Sequence, residues 1–130
     1  MDSVRPDDAR AWILETFPGA WEDFPFGPGT RVFKNGKGKL FVLITDESDH
    51  AFRVTVKLGR EGAAEALMLP FVSVAPYLGR HGWVTVQVEQ APEWEIASDW
   101  IGTSWGLVGP GKPAKPRRTQ GARRSRRQAQ

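Results

Sequence analysis

Residues 21–33 are Trp21-Glu22-Asp23-Phe24-Pro25-Phe26-Gly27-Pro28-Gly29-Thr30-Arg31-Val32-Phe33. Three aromatic residues, two acids and a proline/glycine turn lead into a segment with the pattern of a β-strand. Because Pro25 cannot donate a hydrogen bond to a β-ladder, residues 21–26 are predicted to form a short, interrupted edge strand. The stretch therefore places the beginning of a sheet at one of its edges.

The residues that follow predict a β-hairpin. Residues 30–34 have the pattern of a strand, Asn35-Gly36 is a strong two-residue turn signal, and Gly38 leaves room for a bulge. The return strand over 39–45 has apolar residues at five consecutive positions, from Leu40 to Ile44. Such a run is typical of a central strand that is covered, at least in part, on both faces.

The rest of the chain adds helices and further strands. Helices are predicted over 6–16, 60–68 and 92–108, and Ala9, Trp12, Ile13 and Thr16 form the expected buried stripe of the first. Residues 51–58 and 83–89 alternate like strands, and residues 71–75 fit either a short strand or an extended loop. This order predicts an α+β fold, with an antiparallel sheet of four to five strands and helices packed on one face. The other face is expected to be partly solvated, and it carries Arg53, Thr55, Lys57, Thr85 and Gln87.

The composition excludes several classes of protein. The 130 residues include no cysteine, which removes disulfides, thiolate zinc sites and thiol catalysis, and fits a reducing cytoplasm. No stretch approaches the ~18 consecutive apolar residues of a membrane helix, and the N-terminus lacks the apolar region of a signal peptide. We therefore expect a cytoplasmic protein, a monomer with no membrane contact.

The charge is distributed unevenly along the chain. All 15 acids lie in residues 1–108 together with 10 bases, which gives this part a net charge of −5. Residues 109–130 contain no acid and no large apolar residue, so they cannot bury enough surface to fold alone. We predict a folded domain over 1–108 and a disordered tail over 109–130. The tail has eight bases: Lys112, Lys115, Arg117, Arg118, Arg123, Arg124, Arg126 and Arg127.

No set of residues predicts a catalytic, metal or cofactor site. Glu22 and Asp23 are neighbours on a strand and should point to opposite faces, so they cannot form a facing acid/base pair. The two histidines, His50 and His81, fall in different loops and have no metal-ligand spacing. The glycine-rich turns open no helix that could hold a phosphate. We therefore predict a protein that is not an enzyme and has no cofactor or metal.

The aromatic residues of the opening stretch have two interpretations. Trp21, Phe24, Phe26 and Phe33 could pack in the core or form a platform for stacking. Aromatic residues next to strands are buried more often than not, so core packing is the prediction.

Several motifs along the chain resemble one family. They are Glu22-Asp23-Phe24-Pro25-Phe26-Gly27-Pro28, Val32-Phe33-Lys34, Lys39-Leu40-Phe41, Arg53-Val54-Thr55-Val56-Lys57, Gly79-Arg80-His81-Gly82-Trp83-Val84-Thr85-Val86 and Ser104-Trp105-Gly106-Leu107-Val108. In these motifs the region 10–108 resembles the MmcQ/YjbR proteins, small bacterial domains classed as DNA-binding. The resemblance implies a CyaY-like (frataxin-like) α+β sandwich in a double-wing arrangement. Family members often have an arginine where this chain has Gly106.

The tail and the resemblance together predict a non-enzymatic DNA-binding domain. Lysine and arginine side chains that neutralise phosphates bind nucleic acid with little sequence preference. In the folded part the candidate phosphate contacts are Arg31, Lys34, Lys37, Lys39, Arg53, Lys57, Arg60 and Arg80, and the eight tail bases complete the set. The hairpin lysines could instead serve only to prevent aggregation at the sheet edge.

The alternative function is a module that binds a protein or a small molecule. It would use an aromatic groove formed by Tyr77, Trp83, Trp94 and Trp100, and the tail would then only increase solubility.

Overall fold

The computed structural model of the chain describes residues 4–48, 51–76 and 78–109. The predicted disordered tail, apart from Gly109, lies outside the described residues. The helices are α1 (Pro6–Thr16), α2 (Gly59–Ala66) and α3 (Ala91–Val108), and a short 3-10 turn covers Gly79–His81. The strands are β1 (Trp21–Asp23), β2 (Thr30–Lys34), β3 (Leu40–Asp46), β4 (Phe52–Lys57), β5 (Val72–Val74) and β6 (Trp83–Val88).

The described strands form one antiparallel sheet in the order β1-β2-β3-β4-β6-β5. The predicted α+β class is confirmed, but the predicted number of four to five strands is wrong because there are six. The additional strand comes from residues 71–75, where Val72 pairs with Val86 and Val74 with Val84 on β6. Both edge strands, β1 and β5, are only three residues long.

Helix α1 begins and ends close to its predicted residues. Pro6 occupies the first turn, and the Asp8 carboxylate accepts a hydrogen bond from the Arg5 amide, which satisfies an amide that the helix leaves free. Ala9 and Ile13 are fully buried as predicted, whereas Thr16 is exposed and Phe17 takes its place in the core. The chain leaves the helix at Phe17, so the buried stripe ends on an aromatic ring.

One continuous apolar cluster lies between the sheet and the helices. It contains the inward residues of β4 and β6, and the buried alanines of α2 and α3 belong to the same cluster. An irregularity in β3 adds an extra inward side chain. Phe33 pairs with Val42 and Lys34 with Leu40, so Phe41 is an extra residue between them. Both Phe41 and Val42 are therefore buried in this cluster, as expected of a bulge.

The opposite face of the sheet is less solvated than its alternating pattern predicts. Arg53 is exposed, and Lys57 and Gln87 are half-buried. Thr55 and Thr85 are buried, with their hydroxyl oxygens 2.9 Å apart in a cross-strand hydrogen bond. The central part of this face is therefore closed by a satisfied polar pair.

Helix α3 is fixed to the sheet by a buried hydroxyl. Ser104 Oγ donates a hydrogen bond to the carbonyl oxygen of Phe41, at 2.6 Å, and accepts one from the amide of Lys57, at 3.0 Å. These two backbone groups lie where β3 begins and β4 ends. The contact therefore places the last turns of α3 at this end of the sheet.

Candidate nucleic-acid interface

The hairpin between β2 and β3 is organised by the side chain of Asn35, which is only 1 % exposed. Its Oδ1 accepts hydrogen bonds from the amides of Lys37 and Lys39, at 2.9 and 3.0 Å. An asparagine side chain that bonds the backbone a few residues further on is a common way to close a turn. The three residues between Asn35 and Lys39, which are Gly36, Lys37 and Gly38, are thereby held in one conformation.

Asn35 also connects this hairpin to the end of the last helix. Its side-chain Nδ2 donates a hydrogen bond to the carbonyl oxygen of Gly109. Its backbone carbonyl oxygen accepts one from Trp21 Nε1 at 3.0 Å. Gly109 has a φ of +81° and caps α3 by bonding the Trp105 carbonyl. The eight tail bases therefore follow, in sequence, a residue that is anchored beside the lysines of the hairpin.

Six of the eight candidate bases of the folded part lie at this same end of the sheet. Strands β2 and β4 end here, and β3 and β6 begin here, as the pairs Val42–Val56 and Lys57–Trp83 show. Gly82, before β6, accepts hydrogen bonds from the amides of Leu58 and Gly59 before α2. We call this the basic end of the sheet, and its members are Lys34, Lys37, Lys39, Lys57, Arg60 and Arg80.

Most of the charges at the basic end are available to a ligand. Lys37, Lys39, Arg60 and Arg80 are exposed, and they form no ion pair with any residue in the described ranges. Lys34 is the exception, since its Nζ lies 3.0 Å from Asp23 Oδ2 and 5.2 Å from the centre of the Trp21 ring. The hydrogen bond from Lys34, together with one from the Phe24 amide, lowers the pKa of the Asp23 carboxyl. Asp23 is therefore a fixed anion that neutralises Lys34.

The other two candidates, Arg31 and Arg53, lie at the opposite end and form ion pairs with acids of the protein. Arg31 forms ion pairs with Asp7 at 3.0 Å and Asp46 at 3.3 Å, and its side chain is 15 % exposed. Desolvation lowers the pKa of the guanidinium, but the hydrogen bond to Asp7 and the nearby carboxylates outweigh it and raise the pKa. Arg53 pairs with Glu47 at 3.0 Å. The structure thus separates the eight candidates into six at the basic end and two, Arg31 and Arg53, that form three ion pairs at the opposite end.

The two long helices carry charge of the opposite sign. Their acids are Asp7, Asp8, Glu15, Glu93, Glu95 and Asp99, and their single base is Arg10, which pairs with Glu22 at 2.8 Å. A depression of about 450 Å³ between the helices has Glu95 and Asp99 among its lining residues. The acids of these two helices are therefore separated from the exposed bases of the basic end.

Glu22 and Asp23 point to opposite faces of the sheet, as predicted. Glu22 is opposite Phe33 and reaches Arg10 on α1, whereas Asp23 is opposite Val32 and reaches Lys34. His81 is exposed, as its position in a turn predicts, and His50 lies outside the described residues. The two neighbouring carboxylates therefore cannot act on one substrate.

The aromatic residues of the opening stretch differ from the prediction. Only Phe33 is buried, whereas Trp21 is 42 %, Phe24 47 % and Phe26 71 % exposed, so core packing is wrong for these three. Strand β1 already ends at Asp23, and residues 24–29 run outside the ladder. Trp21 lies at the basic end beside Lys34, and Phe24 and Phe26 lie toward the other end.

The aromatic groove of the alternative function is not formed by the described residues. Trp83 belongs to the sheet face that carries Lys57 and Thr85, whereas Trp94 packs against Phe52 on the helix side, with ring centres 6.2 Å apart. Trp94 and Trp100 pack against the core, and Tyr77 lies outside the described residues. The sheet therefore separates Trp83 from Trp94.

The comparisons with known proteins establish the family. The family model described as YjbR matches residues 15–107. The chain belongs to the YjbR family. The match covers all six strands of this YjbR-family protein and most of α3, and it confirms the resemblance seen in the sequence motifs.

Two solved structures share the fold of this YjbR-family protein. A Deinococcus radiodurans protein with a DUF419 domain is 27 % identical, with a TM-score of 0.66 over 78 % of this chain and 76 % of that one. A Pseudomonas syringae protein is 16 % identical, with a TM-score of 0.66 over 82 % of this chain and 100 % of that one. The second likeness is one of fold alone. No curated protein matches the sequence, and no helix in the described ranges is long and apolar enough to cross a membrane.

Proposed function

We propose that this YjbR-family protein is a non-enzymatic nucleic-acid-binding protein that contacts DNA phosphates with little sequence preference. The basic end of the sheet and the basic segment after Gly109 together form the binding surface. The observation that carries the proposal is the hydrogen bond from Asn35 to Gly109. It holds Gly109, the residue after which the tail bases follow in sequence, next to the lysines of the hairpin.

The charge distribution supports this assignment. The folded part has a net negative charge, so attraction by net charge alone would be weak. However, six of its acids lie on α1 and α3, whereas four exposed bases without an ion pair among the described residues, Lys37, Lys39, Arg60 and Arg80, lie at the basic end. A local field of this kind attracts a polyanion to one part of a protein whose overall charge is small.

The contacting groups also fit phosphate better than base edges. Each exposed lysine of the hairpin and each exposed arginine can contact one phosphate of the regular sugar-phosphate backbone of DNA. Such phosphate contacts carry no sequence information. Each phosphate that a base neutralises releases condensed counterions, so binding must weaken steeply as salt increases. If about four bases engage, log K should fall against log salt with a slope of roughly −3 to −4.

The test is a salt titration of duplex DNA binding by the full chain, followed by fluorescence anisotropy. A full-length variant in which the eight tail bases are replaced by glutamine should lose most affinity at about 50 mM salt, and its slope should be less steep. The pair Lys37→Gln/Lys39→Gln should weaken binding further. The matched control Arg5→Gln/Arg53→Gln removes the same charge from the opposite end and should have a much smaller effect.

Two results would contradict the proposal. The first is that the full chain does not bind duplex DNA even at about 50 mM salt. The second is that the control pair and the hairpin pair weaken binding equally, which would mean that only the overall charge matters.

A further inference from the structure

Trp21 differs from the other exposed aromatic residues because it is held in place by a hydrogen bond and lies beside Lys34. Its indole Nε1 donates to the carbonyl oxygen of Asn35 at 3.0 Å, which fixes one edge of the ring. Trp21 is nevertheless 42 % exposed. A large apolar ring that is exposed loses the stabilisation that burial would give it, so a fixed, exposed ring is a candidate contact for a ligand.

The surroundings of Trp21 have the chemistry of a phosphate-binding surface. Lys34 Nζ lies 5.2 Å from the ring centre, and the same Asn35 that holds the indole also holds the hairpin with Lys37 and Lys39. Through its side-chain Nδ2 Asn35 also bonds the carbonyl oxygen of Gly109, the residue that ends α3. The backbone carbonyl of Asn35 holds the indole ring, and its side chain holds the hairpin lysines and Gly109, so one residue anchors all three.

We infer that Trp21 stacks against an unpaired nucleobase, so that single-stranded nucleic acid is the preferred ligand of the basic end. The inference rests on the proposed function and specifies its substrate class. Proteins that bind single strands combine a positively charged groove with aromatic side chains on which bases stack, without sequence preference. In a duplex the base faces are already stacked and cannot reach a protein ring, so only an unpaired base can use Trp21.

Phe26 provides the comparison within the same molecule. It is more exposed than Trp21, at 71 %, but it lies toward the other end of the sheet, away from the hairpin that carries the exposed Lys37 and Lys39. Its ring also has no cation within contact distance among the described residues, whereas Trp21 has Lys34. The inference therefore concerns Trp21 and not exposed aromatic residues in general.

The experiment compares a fluorescein-labelled oligothymidine with a duplex of the same length, using the full chain at one low salt concentration. Trp21→Ala should weaken binding of the single strand by about 5- to 150-fold, the range expected for one stacked base, and leave duplex binding nearly unchanged. Trp21→Phe keeps an aromatic face without the hydrogen bond to Asn35, and it should restore most of the affinity. Phe26→Ala is the matched control and should change neither affinity.

The outcomes separate this inference from the proposed function. If the wild type binds both oligonucleotides and Trp21→Ala weakens both equally or neither, stacking is overturned and phosphate binding stands. If Trp21→Phe binds the single strand as weakly as Trp21→Ala while circular dichroism shows both variants folded, the hydrogen bond and not the ring matters, and stacking is again overturned.

If the wild type binds neither oligonucleotide, both the stacking inference and the proposed DNA-binding function fail. If Trp21→Ala instead abolishes self-association seen by sedimentation and leaves DNA binding unchanged, the ring is a protein contact.

Discussion

The side-chain amide of Asn35 donates a hydrogen bond to the carbonyl oxygen of Gly109, 74 residues further along the chain. The donor lies in the turn between β2 and β3, and the acceptor is the residue that ends α3. This contact holds the end of α3 beside the turn between β2 and β3. The relative position of the two elements therefore depends on one uncharged side chain.

Replacing Asn35 by alanine should destabilise the protein by about 2 to 4 kcal/mol. The reason is that the buried side chain of Asn35 makes three hydrogen bonds, and its removal leaves the three backbone groups without their partner. Urea unfolding of the full chain measures this change. Lys37→Ala, on the same turn but exposed, is the control and should stay within about 0.5 kcal/mol of wild type. Equal stability of Asn35→Ala and wild type would show that the turn closes without this side chain.

Ser104→Ala should cost about 1 to 3 kcal/mol, since it leaves the Phe41 carbonyl and the Lys57 amide without their buried partner. The control is Ser98→Ala on the same helix, whose hydroxyl bonds only the carbonyl of Glu95. Because alanine favours helix, this control should be neutral or slightly stabilising. Thermal unfolding followed by circular dichroism compares the two variants, and the idea fails if their midpoints coincide.

Gly82→Ala should be among the most destabilising single substitutions in the fold. Gly82 has a φ of +83°, and a Cβ there would lie 2.5 to 2.9 Å from backbone atoms of Gly59. Left-handed backbone costs alanine about 1 to 2 kcal/mol, and the clash adds a similar or larger amount. The total should be about 3 kcal/mol or more.

Gly38→Ala separates these two contributions. Gly38 has the same φ of +83°, but no atom lies within 4 Å of its added Cβ. The Gly38→Ala variant should therefore lose only about 1 to 2 kcal/mol of stability, the cost of the left-handed backbone conformation for alanine. Equal losses for the two variants in chemical denaturation would mean that the contact between Gly82 and Gly59 relaxes freely.

Asp23→Asn should destabilise the protein at neutral pH and progressively less in acid. The pKa of Asp23 is lowered in the folded state by the hydrogen bond from Lys34 and by that from the Phe24 amide. A carboxyl whose folded pKa lies below its unfolded value, about 3.9, contributes stability above that value and loses it as pH falls through the folded pKa. Urea unfolding at pH 7 and well below pH 4 measures the difference.

Lys34→Gln should remove the same pH-dependent contribution, because it eliminates the first partner of Asp23. The ion pair is partly exposed, so salt should reduce its effect. A difference between Asp23→Asn and wild type that stays constant from neutral to acid pH would contradict the assignment of this pair.

Much of the fold follows from local sequence patterns. Helix α1, strand β2 and the hairpin at Asn35-Gly36 lie where the pattern predicts, because caps, turn residues and alternation act within a few residues. Strand β5 could not be assigned, since three residues form a strand here only by pairing with β6. The exposure of Phe24 and Phe26 was missed because hydrophobicity predicts burial, whereas the early end of β1 leaves both outside the sheet.

The candidate site could be predicted only in part. The lysines of the hairpin are adjacent in sequence, so their proximity follows from the turn. Lys57 and Arg60 join them through the pairing of β3 with β4, and Arg80 joins them because β4 lies next to β6, a long-range pairing that no local pattern shows. Likewise, Arg31 is removed from the candidate surface by carboxylates on α1 and β3.

The short strands at both flanks of the sheet have a consequence for concentrated solutions. β1 and β5 each offer only three residues, and a proline follows each of them within two residues, at Pro25 and Pro76. A neighbouring molecule that approaches sideways finds few free amides and a ring that cannot donate. The edges of the sheet therefore offer little for strand pairing between molecules. The protein should remain free of fibrils even when salt screens the charge repulsion between its molecules.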